Sequence, residues 1–298
     1  MKIGILSRNS TLYSTRRLVQ AARLRGHEAF VIDTTAVSID LGYETSPLRR
    51  RYPQIDAIIP RIGTSITEYG LAVVRQFEAL GIATTARSAA IEQSRNKLQS
   101  LQLMQQHELP IPKTAVITHP GTLYKAIQSV GGLPVVMKQI YGTQGNGVML
   151  VHDIRAALTA LSTLQRGGQP VLVQEFIAEA KGQDLRVIVI NGRCVAAMQR
   201  SAPADDFRAN LHQGGTAVSI SLANPIKKLA QKASFVHGLH VAGVDLLESD
   251  RGPLLLEINS SPGLQGIETV TGVNVSSEIV AYLETAVNKR SQRTAKKR

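Results

Sequence analysis

The chain of 298 residues has one cysteine, no tryptophan and only 4% aromatic residues, and its 22 acidic residues are outnumbered by 34 lysines and arginines. A single thiol, Cys194, cannot form an internal disulfide, and its strand-like flanks point to a buried structural cysteine in a reducing cytoplasm. No apolar run approaches the ~18 residues a membrane span needs, and Met1 to Ser7 turns polar after one short apolar stretch, so neither a leader nor a membrane segment is expected. The shortage of aromatics, with no nucleic-acid-binding motif, argues against an RNA-binding module. Ser7-Arg8-Asn9-Ser10 stands where a Gly-x-Gly-x-x-Gly turn would follow the first strand, which removes a dinucleotide site of that kind.

What the chain does have is enough apolar residue, 43%, for more than one core. Half of its net charge of +12 sits in the last ten residues, six of them basic and none acidic. Residues 289–298 therefore read as a solvated, disordered tail or as a contact for RNA or an acidic protein. Arg49-Arg50-Arg51 follows Pro47 in a stretch that reads as irregular.

The spacing predicts an α/β chain. Over residues 1–93, strands at Lys2 to Leu6, Glu28 to Asp33 and Asp56 to Pro60 alternate with helices at Leu12 to Arg25 and Ile66 to Leu80, a βαβ pattern with a parallel sheet. Residues 94–178 read as a helix from Ser94 to Gln106, then a smaller α/β unit. Its strands fall at Lys113 to Ile117, Pro134 to Ile140 and Val171 to Phe176, and its helices begin near His119 and Asp153. Residues 179–288 carry long strands at Asp184 to Ile190 and Arg193 to Arg200, a helix from Pro225 to Gly238, a hairpin, and a closing helix from Ser276 to Asn288.

That hairpin, Val-Ala-Gly-Val-Asp245-Leu-Leu then Leu-Leu-Leu-Glu257-Ile-Asn259, places two carboxylates and an amide among apolar residues. A turn centred on Arg251 sets Asp245 opposite Glu257 and Gly243 opposite Asn259, and period-two alternation puts Glu257 and Asn259 on one face. Like charges facing each other on apolar strands are costly unless a cation compensates. An oxygen-only set suits Mg²⁺ or Mn²⁺. An edge hairpin with solvated acids is the other interpretation.

Two further stretches carry chemistry. Lys138, then Gly142-Thr143-Gln144-Gly145-Asn146-Gly147, combines a point charge with a glycine-rich backbone able to approach phosphate closely, though no Gly-Lys-Ser/Thr follows as in a P-loop. A ligand-free hairpin is the alternative there. Val171 to Ile177 is an apolar strand ending in Gln174-Glu175-Phe176, suited to a purine slot. Asp184 and Arg186 share a strand face beyond it, either as ligand contacts or as structural ions.

In order along the chain, Lys97, Lys138 with its glycine-rich loop, Gln-Glu-Phe-Ile, Asp184-x-Arg186, Asp245 and Glu257-x-Asn259 resemble the ATP-grasp superfamily. Pro60-Arg61-Ile62-Gly63-Thr64, Asp206-Phe207-Arg208, Asn210-Leu211-His212, Ser261-Pro262-Gly263-Leu264 and Gly266-Ile267-Glu268 extend the resemblance to its RimK family over almost the whole chain. The resemblance implies an ATP-grasp fold of three parts: a parallel βαβ domain, a central lid and a C-terminal mixed or antiparallel sheet domain. It implies ATP contacts at Lys97, Lys138, Gly142, Thr143, Gln144, Gly145, Gly147, Glu175, Phe176, Asp184, Arg208, Ala209 and Asn210. Ala209 stands where relatives often have serine. It further implies two Mg²⁺ or Mn²⁺ ions at Asp245, Glu257 and Asn259, and substrate contacts at Ser261, Pro262 and Gly263. Lys138, Arg200 and Arg208 would serve the reaction, the arginines by clamping a carboxylate or acyl phosphate. The implied activity is ligation of L-glutamate to the C-terminus of the sixth small-subunit ribosomal protein by a cytoplasmic homo-oligomer. A ligase with another carboxylate acceptor is the alternative.

Overall fold

The computed structural model describes residues 1–43, 46–142, 147–165, 168–204, 206–209, 211 and 214–295. Its first elements are β1 (Lys2–Leu6), α1 (Tyr13–Leu24), β2 (Glu28–Ile32), α2 (Pro47–Arg51), β3 (Ala57–Pro60), α3 (Thr67–Ala79) and β4 (Ala83–Thr84). The strands form a fully parallel sheet in the order β2-β1-β3-β4. Their unbroken apolar runs follow from burial on both faces, as in β1, where Ile3 and Ile5 are fully buried. Helix α1 buries Thr15, Leu18, Ala21 and Ala22 on one stripe, and the chain leaves it at Gly26, whose φ of +80° suits a helix end. Arg49 to Arg51, expected to be irregular, form most of α2. Pro47 at the start of that helix is compatible with a turn too short to show periodicity.

Two helices, α4 (Ser88–Arg95) and α5 (Lys97–Gln106), occupy the stretch where one helix from Ser94 was expected. Asn96 breaks them. Its backbone is extended, and its side chain caps α5 by accepting a hydrogen bond from the Gln99 N–H at 3.1 Å. Arg95 thus ends one helix and Lys97 begins the next.

The central elements are β5 (Thr114–Ile117), α6 (Leu123–Ser129), β6 (Val135–Gln139), β7 (Val148–Val151), α7 (Ile154–Leu164) and β8 (Val171–Glu175). Their antiparallel sheet runs β5-β8-β6-β7. It packs against α6 and α7 in a core of its own that includes Ile127, Met137, Leu161 and Val173. A smaller cluster of Leu101, Ile140 and Leu172 joins it to α5.

The last elements are β9 (Gln183–Ile190), β10 (Arg193–Ser201), β11 (Thr216–Ser219), α8 (Asn224–Val236), β12 (Val241–Leu247), β13 (Leu254–Asn259), α9 (Gln265–Thr271) and α10 (Val275–Ala295). The antiparallel sheet runs β11-β10-β9-β12-β13. Alternation along β9 divides its side chains between two cores. Val187 and Val189 join Ala230 and Ala233 of α8 and Val73 and Phe77 of α3, whereas Ile188 and Ile190 join Ile279 and Leu283 of α10 and Ile3 and Ile5 of β1. The first and last sheets therefore share their cores.

Helix α10 runs seven residues beyond Asn288, into the segment expected to be a disordered tail. Glu284 anchors it to α1 through Arg25 at 2.7 Å and to His27 at 2.7 Å. Past that anchor, arginine, lysine, glutamine and alanine favour helix, and basic residues suit a helix C-terminus. Residues 296–298 lie outside the described residues. No helix among the described residues is long and apolar enough to cross a membrane.

Candidate active site

A cavity of about 1000 Å³ lies where the three sheets meet, and it is lined from each: Arg61 after β3, Arg95 and Lys97 beside the α4–α5 break, Lys138 on β6, and Asp245, Glu257 and Asn259 on β12 and β13. The hairpin register is the expected one. Asp245 faces Glu257 and Gly243 faces Asn259, with a bulge between Asp245 and Leu246. A Cβ at Gly243 would come within 2.8 Å of Pro262, so glycine is needed there for the chain after β13 to pass.

The compensation that facing carboxylates demand comes partly from arginine. Asp245, 4% exposed, accepts from Arg186 Nε at 2.7 Å and Nη2 at 2.6 Å, and Arg200 Nη2 lies 3.2 Å away. Asp184, 7% exposed, accepts from Arg200 Nε and Nη2, both at 2.6 Å. Both pairs follow from register, since Arg186 lies opposite Asp245 and Arg200 opposite Asp184. Burial pushes the Asp184 carboxyl up, against the pull of Arg200. For Asp245 the same burial is outweighed by Arg186 and Arg200, which hold it below the usual carboxylate range.

Two residues expected to meet ligands are engaged with protein partners in this state. Arg200, expected to clamp a substrate carboxylate, is itself 7% exposed and already clamps two protein carboxylates. Asp184, expected at the nucleotide, has both oxygens engaged by Arg200, so Asp184 and Arg186 stand in this state as structural ions paired with neighbours. Arg208 likewise holds Asp206 at 2.7 Å and lies 6.0 Å from the centre of the Phe207 ring.

Glu257 and Asn259 differ from Asp245. Neither side chain makes a hydrogen bond or ion pair with another described residue, and both line the cavity. Among the described residues no three His, Cys, Asp or Glu side chains cluster as a metal site. The set is instead two carboxylates and an amide, hard oxygen donors that fit Mg²⁺ or Mn²⁺ with positions left for water and phosphate. A carboxylate held by guanidinium retains lone pairs for a cation, so Asp245 is compatible with the set.

Lys138 reaches Gln174 Oε1 at 2.6 Å, and Gln174 in turn donates to Thr114 at 2.8 Å. Burial, opposed by Glu257 and aided by Lys97, lowers the Lys138 ammonium to about 8. Lys97 donates to the Gly142 carbonyl at 2.9 Å and so fixes one end of the glycine-rich segment. Gly147 at the other end has φ +72°, and a Cβ there would meet the Gln139 side chain. Thr143, Gln144, Gly145 and Asn210, also expected at the nucleotide, lie outside the described residues.

Glu175 accepts from the Lys113 N–H at 2.7 Å and from Arg251 at 2.6 Å, and Phe176 meets Phe207 edge-on at 6.4 Å between centres. Both line the cavity, as does the buried Ala209. Ser261 donates to the Pro60 carbonyl at 3.3 Å, so the Ser261-Pro262-Gly263 turn joins the last sheet to the end of β3.

Two groups escaped the sequence reading. Arg95 was hidden inside a helix expected to be continuous, and only the capping potential of Asn96 could have exposed it. Glu268 accepts from Tyr13 at 3.1 Å, Arg17 at 2.9 Å and the Ser276 N–H at 2.8 Å, tying α1 and α9 to α10 behind the site. It appeared in the sequence only as part of a motif, because two of its partners, Tyr13 and Arg17, are 255 and 251 residues away.

Three sheets around a cavity lined by Lys138 and an acid-amide triad, with a glycine-rich segment following β6, define an ATP-grasp protein. Residues 94–283 match the RimK-like ATP-grasp domain and residues 1–91 the RimK PreATP-grasp domain, so the chain belongs to the RimK family. It is 47% identical to a probable alpha-L-glutamate ligase of Marinomonas sp. (strain MWYL1), over 95% of each chain. A protein of the same description from Aliivibrio fischeri (strain MJ11) is 45% identical over 99% of this chain and 100% of its own. Among solved structures, a D-alanine–D-alanine ligase from Bacillus anthracis complexed with ATP aligns with TM-score 0.75 at 17% identity, covering 99% of both chains. The ATP-grasp ligase PsnB complexed with a phosphomimetic variant of a minimal precursor, Mg and ADP aligns with TM-score 0.73 at 19% identity, covering 96% of this chain and 98% of the other. At those identities the likeness is one of fold.

Proposed function

We propose that the protein is an ATP-dependent carboxylate–amine ligase that joins L-glutamate to the C-terminal carboxylate of a protein acceptor, the sixth small-subunit ribosomal protein. The observation that carries this is one cavity lined by Lys97 and Lys138 together with unpartnered hard oxygen donors, in a chain close to probable glutamate ligases over its length. A carboxylate is a poor electrophile, so it must be activated before an amine can displace oxygen. An acceptor oxygen attacks the terminal phosphorus of ATP, releasing ADP and forming an acyl phosphate. The glutamate nitrogen then attacks the acyl carbon, the C–O bond to phosphate breaks, and phosphate and a proton leave. Repetition on the new C-terminus yields a short oligoglutamate chain.

Each group has a physical task. Lys138 and Lys97 gather the phosphates, and Lys138 at about 8 is a point charge that phosphate oxygens would restore to full protonation. Glu175 and Phe176 sit at the adenine end. Asp245, Glu257 and Asn259 would hold one or two divalent ions, which when bound neutralise charge on the transferred phosphoryl group. Arg200 serves as a positioning residue that fixes Asp184 and Asp245. The separate core of the central sheet lets that unit close over the phosphates with the glycine-rich segment and keep water from the acyl phosphate.

The reading is tested by incubating the protein with ATP, Mn²⁺, labelled glutamate and purified ribosomal proteins. Label in one band, dependent on ATP, is expected. Glutamate-dependent ADP release with no labelled band would keep the ligase and discard the ribosomal acceptor, and the absence of ADP release would discard both.

A further inference from the structure

The cavity holds more positive charge than a triphosphate site requires. Arg61, the first residue past β3, lines the cavity, and its guanidinium makes no hydrogen bond or ion pair with another described residue. Its charged neighbour is another cation, Arg95. Arg95 donates through Nη2 to the Ile62 carbonyl, which fixes its guanidinium beside β3, yet its Nε is fully buried with no partner. Burial, and then Arg95, push the Arg61 guanidinium down to about 10. Two like charges with an orphaned donor, held together by the fold, are costly unless an anion completes them.

Their place relative to the phosphate lysines follows from which charges sense which. Lys138 senses Lys97 and Glu257, Arg95 senses Glu257, and Arg61 senses Arg95. Glu257 is thus a charged neighbour of both Lys138 and Arg95, and all of these groups line one cavity. The arginine pair also adjoins the Ser261-Pro262-Gly263 turn, because Ser261 bonds to the carbonyl of Pro60, the residue before Arg61. Guanidinium forks match a carboxylate bidentately, whereas the lysine pair offers point charges.

We propose that Arg61 and Arg95 form a second anion subsite, which binds a carboxylate of the substrates being joined, in the same cavity as the lysines that take the triphosphate and beside the Ser261-Pro262-Gly263 turn. The substrate class rests on the ligase function proposed above. A carboxylate comes either from L-glutamate or from the C-terminus of the acceptor, and the probes separate the two. An arginine pair anchored through Arg95 would select the carboxylate end of a substrate and leave the other end free in the cavity.

The test uses the full chain with Arg61→Gln, Arg95→Gln and the conservative Arg61→Lys. Calorimetry measures binding of L-glutamate, of a short acidic peptide with a free C-terminus, of the same peptide as its amide, and of ATP with Mg²⁺. Wild-type protein is expected to bind glutamate or the free-acid peptide. Arg61→Gln should weaken that binding at least tenfold, Arg61→Lys less, and the affinity for ATP should stay within twofold. Because Arg61 has only a like-charged neighbour, the melting temperature of Arg61→Gln should not fall. Loss confined to glutamate assigns the carboxylate to glutamate. Loss confined to the peptide, together with weak binding of its amide to wild type, assigns it to the acceptor. The proposal is overturned if both glutamine variants bind the probes as wild type does, if the loss falls on ATP instead, or if wild type binds neither probe. If the variants lose probe binding but wild type makes no product from ATP, glutamate and peptide, the subsite stands and the ligase function falls.

Discussion

Arg186 and Arg200 line the same cavity as Arg61 and Arg95, but the two pairs face opposite partners. Arg186 and Arg200 sit in the middle of the last sheet, where register sets a carboxylate across from each, and their charges cancel locally. Arg61 and Arg95 sit at the ends of β3 and α4, where no described residue supplies an acid within ion-pair distance. The same residue type thus does two jobs. Inside the sheet, arginine holds buried carboxylates in place, and at element ends it leaves positive charge unmatched by any described acid. Lys138 resembles the second group in having no described acid as an ion-pair partner, only the Gln174 amide oxygen at 2.6 Å.

The sharpest way to break this contrast is Arg200→Leu, which leaves Asp184 buried without its cation. A loss of about 3–5 kcal/mol in denaturant unfolding is expected, in line with other buried pairs broken from one side. Asp184→Leu with Arg200→Leu should recover part of it, and a single-variant loss near zero would dissolve the distinction between the two arginine pairs.

Lys138→Met comes next, with ATP affinity expected to fall about 10- to 100-fold, the worth of a charge-assisted hydrogen bond. Equilibrium titration with ATP and Mg²⁺ measures it. The same lysine gives a pH dependence. In the free protein it loses its proton above about 8, whereas bound phosphate favours the protonated form. ATP affinity should therefore hold below about pH 8 and decline above it, by at most about tenfold per pH unit. Lys138→Met should remove that decline.

The smallest effect is expected far from the cavity. Hydrogen bonding to Arg25, and then to His27, pulls Glu284 down to about 2. A depressed carboxylate contributes stability above its unfolded value and loses it as pH falls through the folded one. Glu284→Gln should cost about 1 kcal/mol at neutral pH, the difference fading towards pH 2, because the pair is partly exposed. Circular dichroism melts across pH would follow it.

Much of the fold was legible because strong periodicities coincide with burial. The parallel strands, the capped helix after Asp153 and the register of the Asp245–Glu257 hairpin all follow from apolar runs and turn position. Short or interrupted elements were not: α2 has five residues, β4 has two, and the break at Asn96 depends on one capping side chain. Of the site, the residue types and their order were readable, including the acid-amide triad and Lys138. Their electrostatic partners were not, because Arg200 meets Asp184 and Asp245 only through the register of β9 between β10 and β12. The glycine-rich stretch was legible as chemistry, though Thr143 to Asn146 lie outside the described residues. The last turns of α10 were not legible because a basic run suits a helix end as well as a solvated tail.

The most direct measurement is calorimetric uptake of a non-hydrolysable ATP analogue by the folded protein, with and without Mg²⁺ or Mn²⁺, in wild type and Glu257→Ala. Metal-dependent binding in wild type, with the metal's contribution lost in Glu257→Ala, is the expected result. Equal, metal-independent uptake by both proteins, or none by either, would contradict the placement of nucleotide and metal between Lys138 and Glu257.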